Sequence, residues 1–536
     1  MRALLTALCL LLALPVLVVL ASWLAFDAAA LAVLQHQAQT VLPGYVLQSA
    51  LLAVSVGLGV TLLGAASAAT VTLFDFPGRR IFEWALLLPL AMPAYVLAYA
   101  WTDALQFSGP LQTALRGWLG VSGPLWPDVR NLWAAAVLFV LCLYPYVYLL
   151  TRAALGERAV HMMEAARLLG AGMRRRLTAV ALPMARPAIA AGVALAMMET
   201  LADFGVGAYF GLTTFSTGIY KAWLVMNDRV AAAQLASLLL LVVAVLLGVE
   251  RAAQRRLRFA AGRGGGTSSE ARPVRLRGRV ALAAWLLCAL PVLLGFVLPV
   301  GWLLWMVVQE ARYSEIGLPL ARFWPWALSS ARLATAAALA ATLLALTLGF
   351  ALRGRSRPAD VLRPAARLLS LGYAVPGTVI AVGVLLPVGW VQARWPEAPM
   401  SALVTGTLFG VLYAYLVRFS AVALQSVEAG YARVPVSVDE TALLLGTGRA
   451  RLFGRLHLPL LRRSVLAAAL LVFVDVMKEL PATLVLRPFG SDTLAVVAYN
   501  LARDERLGEA ALPSLAIVAV GLLPVLLLSH AMRSRG

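Results

Sequence analysis

Apolar stretches of about 20 residues, each long enough to cross a hydrocarbon core of roughly 30 Å, recur along the whole of this 536-residue chain. About twelve can be placed: near 3–25, 48–73, 84–102, 131–151, 187–206, 231–249, 280–308, 327–352, 368–391, 401–424, 464–486 and 512–530. With 62% hydrophobic and 13% charged residues the chain is not a soluble globule. The predicted fold class is an all-α polytopic membrane protein. The stretch Ala3–Phe26 is longer than a usual signal-peptide core and has no convincing cleavage site, so it reads as a retained span.

The net charge of +20 follows from topology rather than from a nucleic-acid partner. If both termini are cytoplasmic, the loops near 74–83, 152–186, 250–279, 353–367 and 425–463 share their side. With the termini, those loops hold 32 of the 45 basic residues, as the positive-inside rule requires. Cys9, Cys142 and Cys288 sit far apart inside apolar runs and read as small buried hydrophobes. His36, His161, His457 and His530 form no ligand cluster, so no stable metal site is predicted.

The chain is also a repeat. Residues 260–273 are Gly/Ser-rich and charged, which reads as a flexible cytoplasmic tether. They lie in a linker at 256–278 between a first transmembrane domain, 1–255, and a second, 279–536. Leu47-Gln48-Ser49-Ala50 matches Leu328-Ser329-Ser330-Ala331, and Leu90-Ala91-Met92-Pro93-Ala94 matches Tyr373-Ala374-Val375-Pro376-Gly377. Two parallel six-helix repeats would face each other about an axis along the membrane normal.

The strongest match lies in a polar loop. Glu164-Ala165-Ala166, Gly170 and Leu182-Pro183 return 276 residues later as Glu440-Thr441-Ala442, Gly446 and Leu458-Pro459. In each copy a helix is predicted up to the glycine, which supplies a left-handed cap. A second short helix follows and stops at the proline. The bland alternative is an interfacial helix anchored by arginines.

This pattern resembles the EAA loop of ABC-importer permeases, and both halves carry it. Thr441, where the motif has Ala, is the one departure. The resemblance implies the type I importer permease fold, with Glu164, Ala165, Ala166, Gly170, Glu440, Thr441, Ala442 and Gly446 coupling the membrane part to an ATPase subunit. The chain has two lysines, Lys221 and Lys478, and neither follows a glycine as a phosphate-binding loop requires. Hence the chain is not itself an enzyme and binds no cofactor. ATP and Mg would be used by a separate cytoplasmic ATPase dimer.

The span after each loop carries charge. Glu199 and Asp203 lie one helical turn apart, and adding 276 gives Asp475 and Glu479, with Lys478 beside them. Charges at such depth face the bundle interior rather than lipid. They read either as a bracing network, with Lys478 neutralising Asp475 or Glu479, or as a translocation path in which carboxylate oxygens transiently hold a cation. Tyr95 and Tyr99 either add oxygens to such a path or simply pack. Gly205, Gly207 and Pro481 weaken the helix just beyond the acids.

Longer strings are similar to fused ferric-iron permeases: Met198–Gly205, Tyr209-Phe210-Gly211, Thr217–Tyr220, Val476–Thr483, Leu486–Phe489 and Tyr499–Ala502. That resemblance implies a bacterial inner-membrane permease, a periplasmic ferric-binding protein as partner, and membrane lipid around it. Thiamine permeases share the fused architecture and are the alternative. A proton-coupled secondary transporter would use the acids as a relay but leaves the duplicated loop without a purpose.

Overall fold

The computed structural model describes residues 2–25, 28–156, 160–261, 274–314, 317–353 and 361–533. Helices make up nearly all of it, as a membrane-spanning backbone that must pair its own polar groups demands. Among the described residues, ten helices are long and apolar enough to cross a membrane, or eleven if a bent pair counts as one span. The twelfth expected span is the helix Leu458–Met477, which is 20 residues long but carries Arg462, Arg463 and Asp475. It ends nine residues before the expected boundary, for a reason given below.

The bent pair corrects the straight span expected at 84–102. Arg79–Ala91 and Ala94–Leu119 meet at 90°. Met92 is extended (ψ 112°) ahead of Pro93 (ψ 141°), because a proline ring disfavours the helical region for the residue before it. Val375 and Pro376 repeat the device (ψ 125° and 141°) ahead of the helix Gly377–Arg394.

The chain forms two compact units that cut across its sequence halves. One contains 1–37, 218–240 and 319–498, the other 38–217, 241–318 and 499–536. In the first unit the N-terminal helix Arg2–Ala21 packs on Leu362–Leu369 and Gly377–Arg394. A side chain at Gly383 would collide with the Pro15 carbonyl there. In the second unit the C-terminal helix Leu507–Arg533 packs on Leu298–Tyr313 and on Leu88–Ala91, where a side chain at Gly521 would meet the Ala91 carbonyl. Each unit is thus completed by spans from the other half of the sequence. Most of the predicted tether, 262–273, lies outside the described residues. Beyond it, Val274–Arg275 pairs in parallel with Phe74–Asp75, a two-residue ladder in the second unit.

The matched serines of the repeat do the same work in both units. Ser49 accepts the Phe215 N–H at 3.1 Å and Ser330 the Leu494 N–H at 2.8 Å. Each fixes the start of a later helix, Phe215–Tyr220 or Leu494–Arg503.

Candidate functional site

The duplicated loops adopt the same backbone. Val160–Leu168 and Val436–Leu444 are helices, each ended by a glycine with φ 77°, Gly170 and Gly446. The Ala171 N–H donates to Ala166 O at 2.9 Å and Gly170 N–H to Arg167 O at 3.0 Å. In the second copy the bonds run from Thr447 to Ala442 and from Gly446 to Leu443, both at 3.0 Å. This six-to-one and five-to-two pairing satisfies carbonyls that a helix end leaves open, and it needs the left-handed glycine.

A short helix then starts at Met173 or Arg449, but the proline does not stop it. Instead the chain widens to a turn in which Leu182 N–H reaches Leu177 O, and Leu458 N–H reaches Phe453 O. It then runs straight on into the spans Leu182–Ala202 and Leu458–Met477. Pro183 and Pro459 lack the N–H for a regular turn, and each ring would strike the carbonyl four residues back. One wide turn removes both conflicts without ending the helix.

The loop surfaces are apolar where they protrude. Leu168 and Leu169 are each 88% exposed, and Leu444 and Leu445 are 88% and 80% exposed. Glu164, Ala165, Glu440 and Thr441 are exposed beside them, with Ala166 and Ala442 half-buried. Paired leucines at matching positions form a small apolar knob in each copy.

Beneath the knobs the two copies differ. In the second unit Leu73, Leu155, Met163, Ala181 and Ala185 form a buried apolar cluster, with Leu177 packed against it. In the first unit four of the five matching positions are charged or polar, and the fifth, Leu461 for Ala185, stays apolar. Leu73 and Arg353 are the last residues of the matching helices Leu42–Leu73 and Leu320–Arg353. Leu155, Met163 and Ala181 plus 276 give Tyr431, Asp439 and His457. Arg353 binds Asp439 through Nε at 2.5 Å and donates to the carbonyls of Tyr431, Val434 and Pro435 at 2.9–3.2 Å. The His457 Nε2 lies 3.0 Å from Asp439 Oδ1, and its Nδ1 lies 3.2 Å from the Tyr431 hydroxyl. A neutral ring carrying its proton on Nε2 satisfies both bonds. Burial alone would raise the Asp439 pKa, but hydrogen bonds from Arg353 and His457 outweigh it and hold the carboxyl below its ordinary value.

The interior acids terminate helices. Leu182–Ala202 ends at Asp203, whose Oδ1 accepts the Val206 N–H at 2.8 Å and caps the short helix Gly205–Tyr209. Leu458–Met477 likewise ends before Glu479, whose carboxylate accepts the N–H groups of Ala482 and Thr483 at 3.1 and 3.0 Å and caps Pro481–Leu486. Both spans are therefore shorter than their apolar runs. In each copy the carboxylate stands one residue ahead of the cap residue, Phe204 or Leu480, and offers the freed N–H groups an acceptor.

Glu479 is 5% exposed and pairs with Arg418 at 3.2 Å. Thr483 Oγ1 donates to its Oε2 at 2.7 Å and accepts from the Tyr415 hydroxyl at 2.6 Å. Lys478 pairs with Asp475 at 2.9 Å, the first of the two partners expected for it. Glu199 is half-buried and makes no ion pair among the described residues. In the other unit the place of Arg418 is taken by Cys142 and that of Gly377 by Ala94. Tyr95, Tyr99 and Tyr209 stack nearby with centroids 5.7 and 4.8 Å apart, so the tyrosines pack. Tyr99 keeps a buried hydroxyl without a hydrogen-bond partner. Arg418 carries a sequence signal outside the repeated motifs: it is the one basic residue within the span Phe409–Tyr431.

Residues 60–259 match the family model described as the inner membrane component of binding-protein-dependent transport systems. The chain is 25% identical over 485 residues to the Fe(3+)-transport system permease protein FbpB 2 of Haemophilus influenzae, covering 89% of this chain and 88% of the relative. It is 24% identical over 482 residues to the ferric transport system permease protein FbpB of Actinobacillus pleuropneumoniae, covering 84% and 65%. Over 136 residues it is 31% identical to the molybdenum transport system permease protein ModB of Escherichia coli, covering 25% and 57%. Residues 60–259 thus match the inner membrane component of binding-protein-dependent transport systems, and most of the chain, with its polytopic helical fold and its loop repeated in both halves, is similar to permeases of that kind.

Proposed function

We propose that this chain carries ferric iron inward across a bacterial cytoplasmic membrane, with both termini and both duplicated loops on the cytoplasmic side. The observation that carries the coupling role is the pair of leucine knobs on identical glycine-capped turns. Each knob would sit in a groove of one subunit of an ATPase dimer, which uses ATP and Mg. A loaded periplasmic binding protein would dock on the opposite loops, near 104–130, 207–230, 309–326 and 487–511.

Iron is favoured because the relatives similar over most of this chain are named for ferric transport. The shorter likeness to a molybdenum permease supports only the importer class. Along the path, Glu199 is the acid left for a passing cation. Asp203 and Glu479 brace the helix breaks, and Asp475 is neutralised by Lys478. A thiamine importer of the same architecture is the reading to test against.

The experiment is ATP hydrolysis by the chain and its cognate ATPase in nanodiscs, with ferric-loaded, empty, thiamine-loaded and molybdate-loaded binding proteins. Stimulation by the ferric-loaded form alone is expected. Stimulation by the thiamine-loaded form alone would overturn the iron reading while keeping the importer. No complex with any ATPase would overturn the role of the loops.

A further inference from the structure

We infer that Arg353, Tyr431, Asp439 and His457 are positioning residues for the second coupling helix, an ionic seat that replaces the apolar seat of the first. This rests on the reading that both loops dock on an ATPase.

Asp439 immediately precedes Glu440, and its carboxylate is gripped from two sides by Arg353 and His457. Arg353 also ties the carbonyls between Tyr431 and Pro435, which is the whole connection from the span to the helix Val436–Leu444. The guanidinium lies over the Tyr431 ring, 5.2 Å from its centroid. His457 closes the far side: it is 1% exposed, packs edge-on against Phe350 at 5.3 Å, and belongs to the wide turn leading into the next span. One cluster therefore fixes the span before the loop, the loop helix, and the span after it.

The first loop has no such grip. Its helix is fastened to the same neighbours by Met163 meeting Leu73, Leu155 and Ala181. Apolar contacts are non-directional and tolerate sliding. Hydrogen bonds to a carboxylate fix distance and angle and fail together when one partner is lost. The second loop is thus held to one orientation, and the force arriving at Glu440 is passed through Asp439.

The test uses Asp439→Asn in the full chain, with and without the ATPase. Mobility is read without the ATPase from a nitroxide at Leu444→Cys or, in a separate variant, Leu168→Cys, the native cysteines all being buried; hydrolysis is read in chains that keep both leucines. In Asp439→Asn the label at 444 should become mobile while the one at 168 does not change. Stimulated hydrolysis should fall by about tenfold with the complex still assembled. Installing the first loop's set, Arg353→Leu with Tyr431→Leu, Asp439→Met and His457→Ala, should immobilise the label again and restore most of the hydrolysis.

Wild-type mobility and hydrolysis in Asp439→Asn, or a four-residue set no better than the single change, would overturn the proposal. Gly446→Val separates the two readings. If it abolishes hydrolysis while Asp439→Asn does not, only the positioning role fails. If Gly446→Val is also silent, the docking role of the loop fails with it.

Discussion

The helix-breaking acids of the two units have the same backbone task and different surroundings. Asp203 accepts the Val206 N–H at the start of its short helix, and the positions matching Gly377 and Arg418 are Ala94 and Cys142. Glu479 accepts two backbone bonds and carries in addition a half-buried arginine, a threonine and a tyrosine. Gly377 makes room for this, since a Cβ there would stand 2.6 Å from Glu479 Oε1 and 3.0 Å from an Arg418 nitrogen. The difference teaches that the duplicated element is the cap, not the charge network. A carboxylate facing freed N–H groups at the end of a broken span is needed in both copies. The ion pair is an elaboration of one.

Removing Arg418 is the most direct way to break this comparison. Arg418→Met leaves Glu479 buried without its cation, which for a buried pair costs about 3–5 kcal/mol. Thermal unfolding in detergent should drop accordingly. Cys142→Met, at the matching place, should change it little. Equal losses at the two positions would mean that the arginine is ordinary packing rather than the partner of the acid.

Gly377→Ala tests the space instead of the charge. The added methyl would force the pair apart, an overpacking cost of about 1–3 kcal/mol. In an Arg418→Met background the cost should shrink, because one of the colliding groups has gone. A double-mutant cycle on unfolding free energies reads this coupling, and strictly additive losses would contradict the arrangement.

How much of this was legible beforehand depends on which physics a residue obeys. The glycine caps could be read, because φ 77° at Gly170 and Gly446 is a local demand that only a few residue types meet. Ser49 and Ser330 were legible as a match, though not as acceptors for Phe215 and Leu494, which lie more than 160 residues away. The prolines after the loops read as stops in the sequence, since a missing N–H ends most helices. Here a single wide turn absorbed the defect, and a local rule cannot foresee which remedy the chain adopts. The seats of the loops were hidden for a further reason. The 276-residue offset pairs Leu155, Met163 and Ala181 with Tyr431, Asp439 and His457, but nothing in the residue types says that either set, with Leu73 or Arg353, gathers under its loop, which only the fold shows. The exchange of terminal spans between the units was equally invisible, because apolar helices carry little address in their composition.

The glycine caps give a smaller effect that should be equal in the two copies. A Cβ at Gly170 or Gly446 would meet nothing within 4 Å, so Gly170→Ala and Gly446→Ala cost only the left-handed backbone, about 1–2 kcal/mol each. Hydrogen exchange at Ala171 and Thr447, whose N–H groups close the caps, should accelerate to a similar degree in the two single variants. A large inequality would show that one loop is not held by its cap.

The smallest effect separates the two seats by pH. The folded pKa of Asp439 is depressed by Arg353 and His457. Its contribution is therefore fully present above the ordinary carboxylate pKa of about 3.9 and disappears as pH falls through the lower folded value. Between neutral pH and about 5 the mobility of a label at residue 444 should not move on account of this group. Under stronger acid it should rise, because the protonated carboxyl no longer draws in the arginine. A label at 168 sits over Leu73, Leu155 and Met163, which do not titrate, and should stay at its neutral-pH mobility through the same range. If both labels loosen at the same pH, acid is acting on the membrane domain as a whole, and the distinction between an ionic and an apolar seat loses its support.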